Sequence, residues 1–303
     1  MDPIPVAPAP DPQARRLRKG MYILPSLFTT ANLAAGFYAI SQAALGAAHM
    51  QGLIGSGADG VRAAASHFNY AALAIGFAVF FDGMDGAIAR LTHTESDFGK
   101  ELDSLADVVT FGVAPGILAW MWGFLCLPTN FDTDFRDKLI QFGGTIAFAF
   151  LTAGACRLAR FNITLNPQPK NPGRPGRKYF VGMPIPGGAG CLAAVVHLCL
   201  GYPIQNPLHS ILWMAFIAFC AFLMVSTWRF WSSKSIDFHS RQAARTFVLL
   251  AFVIAGMWYF HRYVLFIIAV GYMISGVISR LTYSFKKGTL PPAAPPQEAL
   301  GAS

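Results

Sequence analysis

Apolar residues run in blocks of about twenty along most of this chain, broken by short polar or proline-rich joints. Windows of this length predict helices that cross a bilayer. Eight spans are expected, at roughly 22–44, 69–90, 102–126, 139–160, 184–201, 208–228, 246–261 and 263–281. The fifth and seventh are short, and a tilted or re-entrant start at Pro184 or Pro186 would suit the fifth. Only a Tyr-Phe-His-Arg corner parts the last two, so one broken helix is an alternative. Ahead of the first span, the basic run ARRLRKG reads as a short interfacial helix on the inner leaflet. Residues 1–14 and 286–303 are rich in Pro and Ala and are expected to be disordered tails. The prediction is an all-α polytopic membrane bundle over residues 15–285, with a catalytic core at about 20–235.

Composition agrees with that pattern. Of 303 residues, 54% are hydrophobic and 13% charged, against roughly 25% charged in a soluble domain. The first apolar run is too long for a cleaved signal peptide, and no small-residue cleavage site ends it. If both termini are cytoplasmic, every Lys and Arg falls on the inner side except Arg62, Arg136, Lys138 and Arg262. That bias sets the orientation. The net charge of +8 then describes a cytoplasmic face suited to anionic lipid headgroups. Nucleic acid is disfavoured as a partner, because the basic residues are spread over membrane-proximal loops without interleaved aromatics. The five cysteines are scattered with no CxxC, which predicts buried thiols. The seven histidines form no cluster along the sequence, so a zinc site has no support. Phosphate-loop, nucleophile-elbow and dinucleotide fingerprints are missing.

One stretch breaks the apolar pattern: residues 82–107, DGMDGAIARLTHTESDFGKELDSLAD. Asp82, Asp85, Asp103 and Asp107 fall inside predicted spans, where an ionised Asp costs about 2.5–3.5 kcal/mol. Asp82 and Asp85 are three apart and share one face of the second helix; Asp103 and Asp107, four apart, share a face of the third. A short polar loop makes the two helices a hairpin whose acidic faces can meet. Asp82 lies eight residues before Arg90, about 12 Å below that helix end, recessed yet reachable from water. An all-oxygen cluster without His or Cys suits a hard ion, Mg²⁺ or Mn²⁺. Two such ions would suit displacement at phosphorus. A structural acidic patch paired with Arg90 and Lys100 is the alternative, but it leaves four carboxylates facing two cations. Gly86, Ala89 and Gly99 are small enough to let a base and ribose approach backbone, although helix packing also uses such residues.

The string Asp82-x-x-Asp85-Gly86-x-x-Ala89-Arg90, then eight residues, then Gly99-x-x-x-Asp103-x-x-x-Asp107 resembles the complete signature of the CDP-alcohol phosphotransferases. Within that family the chain is most similar to the membrane-embedded phosphatidylserine synthases of bacteria and archaea. The similarity extends to LPSLFTTANLAAGFYAI, ELDSLADVVTFGVAP, ACRLARFNI, FVGMPIP and MVSTWRF. Ser26 departs from it, since relatives often carry Asn after the Pro. The resemblance implies transfer of a phosphatidyl group from CDP-diacylglycerol to the hydroxyl of L-serine, with release of CMP. It implies metal ligation by Asp82, Asp85 and Asp103, and a base at Asp107 that also touches the second of two ions. Gly86, Ala89, Arg90 and Gly99 would line the nucleotide pocket, with Ser96, Thr29 and Asn32 as further contacts. A homodimer in the inner membrane, with the active site facing the cytoplasm, is also implied.

Arg157 and Arg160 sit three apart at the end of the fourth span. They read as a clamp for the serine carboxylate or a substrate phosphate, or as a headgroup anchor. Residue chemistry leaves other acceptors open, among them glycerol 3-phosphate, an inositol phosphate and choline. A divalent-cation transporter is the reading from another class. Against it, all four Asp lie toward one membrane face and no inverted repeat is present.

Overall fold

The computed structural model describes residues 12–55, 57–92, 97–129, 132–164, 179–231 and 243–286. Within these, side chains are described from residue 27 onward, except at 84–92, 97, 243–254, 258 and 284–286.

Eight helices and one small sheet make up the described chain. α1 runs from Pro12 to Met50 and α2 from Gly57 to Thr92. At 39 and 36 residues they are far longer than the roughly 20 needed to cross a hydrocarbon core, so their ends project. The separate interfacial helix expected before the first span is not formed. ARRLRKG belongs to the first turns of α1, which starts within the stretch expected to be a disordered tail. Arg, Leu, Lys and Ala all favour helix, and the single Gly20 costs only about 1 kcal/mol, too little to break the rod.

The third span is segmented. α3 covers Asp97–Asp107, a π-helical turn follows at Val108–Val113, α4 takes Ala114–Trp120, and a second π turn spans Met121–Leu125. Gly112, Pro115 and Gly116 lie in this stretch. Pro115 has no N–H to offer the preceding turn. The backbone widens instead, with the Ala114 N–H bonding to the Val109 carbonyl. Such π turns are frequent at functional sites.

α5 spans Thr133–Ile163, opened by Asp132, whose carboxylate accepts from the Phe135 N–H at 3.0 Å. α6 covers Ile185–Leu198 and is only 14 residues long, about 21 Å. α7, Pro207–Val225, starts on Asn206, whose side chain accepts from the Leu208 N–H at 2.9 Å. α8 runs from Ala243 to Lys286 through a break at Phe260, where φ is −134° and ψ 35°. The last two expected spans therefore form one kinked rod, the alternative that the short corner allowed.

Five of the described segments are long and apolar enough to cross a membrane: Gly57–Gly83, Phe98–Leu125, Thr133–Ile163, Pro207–Val225 and Tyr259–Tyr283. Large apolar side chains such as Phe37, Phe77, Phe148 and Ile267 point outward, each more than 60% exposed. In water that surface would be prohibitive; in lipid it is the solvated face. The chain is a multi-pass membrane protein.

Helix contacts rely on small residues, as expected where lipid removes the hydrophobic drive between helices. Ala39, Ala43 and Ala47 of α1 are buried among residues that include Ala64, Ala71, Ala72 and Ala78 of α2. α2 packs against α6, α5 along α7, and α6 against α8. Where α1 crosses the first π turn, a Cβ at Gly36 would fall 2.7 Å from Thr110 Oγ1.

Two loops meet in an antiparallel sheet of β1, Tyr179–Val181, and β2, Arg229–Trp231. Its register pairs Tyr179 with Trp231, Phe180 with Phe230 and Val181 with Arg229. Phe230 is fully buried and seats on α8, where a Cβ at Gly276 would lie 2.2 Å from its ring.

The histidines are less scattered than the sequence suggested. His197 Nε2 lies 2.8 Å from His261 Nδ1, and His49 stacks on His67 with centroids 5.2 Å apart. The first pair joins α6 to α8 and the second joins α1 to α2. The one carboxylate, His or Cys group among the described residues with three members is the acidic one.

Candidate active site

Three of the four predicted aspartates come together. Asp82 from α2 and Asp103 and Asp107 from α3 each place a carboxylate oxygen within 4.8 Å of the others. All three are half-buried, so the cluster is open to a small ion or a polar substrate. The 103/107 spacing of one helical turn stacks those two side chains on one face, as read from the sequence. The side chain of Asp85 lies outside the described residues, as do those of Ala89 and Arg90, together with Gly86 and the whole of Ser96. Gly99 is on α3, partly buried, one turn before Asp103.

α1 supplies the wall behind the acids. Thr29, 6% exposed, hydrogen-bonds the Asp103 carboxylate through its side chain. One turn along, Asn32 lies 2% exposed, and its main-chain oxygen accepts from Thr110 Oγ1 at 2.9 Å. That bond ties α1 to the π turn directly after Asp107, so helix, turn and carboxylates form one braced unit. Asn32 Nδ2 has no hydrogen-bond partner among the described residues. A buried amide donor left open is costly by about 1–3 kcal/mol, which is consistent with a site built to receive an acceptor.

The donor set fits a hard divalent cation. Carboxylate oxygens alone, at mutual distances that one ion could bridge, favour Mg²⁺ or Mn²⁺ over softer metals. Three carboxylates held close also repel one another unless positive charge lies between them. Thr29 would orient a ligand carboxylate from outside the metal shell.

The arginine pair separates. Arg160 is committed to structure: its Nη1 donates to Val225 O at 3.0 Å, and its Nη2 reaches Ser226 O, Val181 O and Met224 O at 3.3, 3.4 and 3.5 Å. It thereby holds carbonyls that the end of α7 leaves open. Gly182 is required beside it. Its φ is +76°, and a Cβ there would fall 2.6 Å from Met224 O. Arg157, by contrast, is 6% exposed with no partner for Nε among the described residues. Its guanidinium lies 5.4 Å from the Phe161 ring and 5.8 Å from the Phe180 ring. It is near enough to Asp107 and Asp82 for their charges to act on it. A cavity of about 30 Å³ opens beside it, lined by Arg157, Arg160, Phe161, Tyr179, Phe180 and Val181.

Sequence reading missed the aromatic partners of Arg157 and a brace at Asn162, whose Nδ2 donates to Ser104 Oγ at 3.0 Å and joins α5 to α3. Phe180 and Asn162 both sit in stretches noted for similarity, FVGMPIP and ACRLARFNI, and that was the available signal.

Comparison with known proteins bears on this geometry. The CDP-alcohol phosphatidyltransferase family description matches residues 22–204. A CDP-diacylglycerol–serine O-phosphatidyltransferase of Helicobacter pylori is 30% identical over 233 residues, 77% of this chain and 82% of its own. Its namesake from Methanocaldococcus jannaschii is 39% identical over 140 residues, 46% of this chain and 57% of its own. An archaetidylserine synthase of Methanothermobacter thermautotrophicus is 38% identical over 120 residues, 39% of this chain and 42% of its own.

Proposed function

Because the chain belongs to the CDP-alcohol phosphatidyltransferase family, we propose that it transfers the phosphatidyl group of CDP-diacylglycerol to the hydroxyl of L-serine. The products are phosphatidylserine and CMP, made in the membrane for phospholipid synthesis. The observation that carries the reading is the convergence of Asp82, Asp103 and Asp107 from two helices at the family's spacing.

The chemistry follows from the residues. Two divalent ions, Mg²⁺ or Mn²⁺, held by Asp82, Asp85, Asp103 and Asp107, would offset the charge of the pyrophosphate and of the phosphorus undergoing displacement. Asp107 accepts the serine hydroxyl proton, since an alcohol is a weak nucleophile until a positioned base takes it. The serine oxygen forms a bond to the phosphorus bearing diacylglycerol, and the bond from that phosphorus to the CMP oxygen breaks. CMP departs with the electron pair. Gly86, Ala89, Arg90, Gly99, Ser96, Thr29 and Asn32 are assigned to the nucleotide. Arg157 is assigned to the serine carboxylate, because its open Nε and fork geometry suit bidentate recognition. Arg160 is not, since four carbonyls already occupy it.

The placement of basic residues supports an inner-membrane protein with both termini and the active site cytoplasmic, its basic face against anionic lipids. A homodimer is the proposed assembly, by likeness to the family. Purified protein with CDP-diacylglycerol in mixed micelles should release CMP only when serine and Mg²⁺ or Mn²⁺ are present. EDTA and Asp107→Asn should each abolish release. Release with glycerol 3-phosphate and none with serine would overturn the acceptor assignment.

A further inference from the structure

We infer that Phe180 is a positioning residue that restricts the acceptor to a small carboxylate-bearing alcohol, acting through the guanidinium of Arg157. The inference rests on the assignment of Arg157 to the acceptor.

Two aromatic rings from different elements lie near the guanidinium. Phe161 follows Arg157 by one turn of α5, while Phe180 comes from β1, so the enclosure exists only when the two loops pair. Rings at 5.4 and 5.8 Å attract the cation and exclude water from it. An Arg held this way loses less freedom when a carboxylate arrives.

Phe180 is itself held firmly. It lies directly opposite Phe230, on the same face of the sheet, and Phe230 seats against Gly276 of α8. At the far end of β2, the Tyr272 hydroxyl of α8 donates to Trp231 O at 3.3 Å. The wall of the acceptor side therefore includes support from a helix well beyond residue 204, where the family match ends.

The cavity at Arg157 holds about 30 Å³, room for roughly two water molecules. Phe180 lines that cavity with Phe161, Tyr179 and Val181, so trimming its ring would widen the space beside the guanidinium. A wider seat there would relax the placement of the acceptor and admit a longer hydroxy amino acid.

Steady-state kinetics of the full-length enzyme in CDP-diacylglycerol micelles tests this, with serine, homoserine and glycerol 3-phosphate as competing acceptors. Phe180→Ala should raise the serine KM about tenfold, leave the CDP-diacylglycerol KM within twofold, and improve homoserine relative to serine at least fivefold. Phe180→Tyr should restore the wild-type values, and Phe180→Leu, which keeps bulk without a ring face, should restore selectivity but not the serine KM. If Phe180→Ala does not fold, the Leu variant alone decides: a serine KM equal to wild type overturns the role of the ring. Unchanged KM and selectivity in Phe180→Ala would overturn the inference while leaving serine as acceptor. Wild-type enzyme that ignores serine would overturn the underlying assignment instead.

Discussion

Replacing Arg160 with alanine should damage stability and spare substrate binding, although Arg160 lies one turn from a residue assigned to substrate. The Nη1 bond to Val225 O at 3.0 Å has good geometry and the Nη2 bond to Ser226 O at 3.3 Å is somewhat long; the contacts to Val181 O and Met224 O, at 3.4 and 3.5 Å, are marginal. Two charge-assisted bonds at about 1.5 kcal/mol each give roughly 3 kcal/mol. For a chain of this size that corresponds to a fall in apparent Tm of roughly 5–10 °C. The sheet keeps its other ties, including Gly182 N–H to Trp228 O at 2.8 Å and Met183 N–H to Leu223 O at 3.0 Å, so Arg157 stays enclosed. The assay pairs thermal unfolding in detergent with the serine KM measured well below the transition. Arg160→Ala should lower Tm and hold KM within about twofold; Arg157→Ala should raise KM tenfold or more, the loss of a charged hydrogen bond worth about 1.5–3 kcal/mol. A serine KM raised equally by both, with Tm unchanged in Arg160→Ala, would refute the division of labour.

Thr29→Val removes the hydrogen bond to Asp103 while keeping the shape, and should raise the Mg²⁺ concentration for half-maximal activity by roughly 10–100-fold, the usual range for partners of metal ligands. Asp82→Asn should abolish Mn²⁺ uptake in titration calorimetry with CDP-diacylglycerol present; uptake equal to wild type would remove Asp82 from the ion site. Gly36→Leu drives a side chain into Thr110, and should lower both Tm and activity, whereas Thr110→Ala should lose only about 1 kcal/mol through its bond to Asn32 O.

The donor half of the site was legible because its spacing is helical and local. Asp103 and Asp107 need only one turn to share a face, and the cost of a carboxylate in lipid singles them out. The spans were legible for the same reason, since twenty apolar residues carry their own signal. What was hidden depends on distant pairing. The match of Phe180 with Phe230 joins loops fifty residues apart, and nothing local fixes its register. Likewise His197 and His261 looked isolated because their pairing needs α6 beside the kink of α8. The merging of ARRLRKG into α1 was a matter of small propensities, which local composition leaves close to balance.

Arg157 and Arg160 differ in role despite their closeness in sequence. Three positions apart on one helix, they have the same chemistry and nearly the same depth along it, so sequence offers no ground for choosing between them. Their fates differ because Gly182 turns β1 back toward α7, bringing four carbonyls to one guanidinium and an aromatic ring to the other. The acidic signature thus points to reaction at phosphorus, while on the proposal made above recognition of the acceptor falls to α5, β1 and their supports on β2 and α8. A signature confined to residues 82–107 identifies the donor chemistry of this family and leaves the accepting alcohol to be read from those other elements.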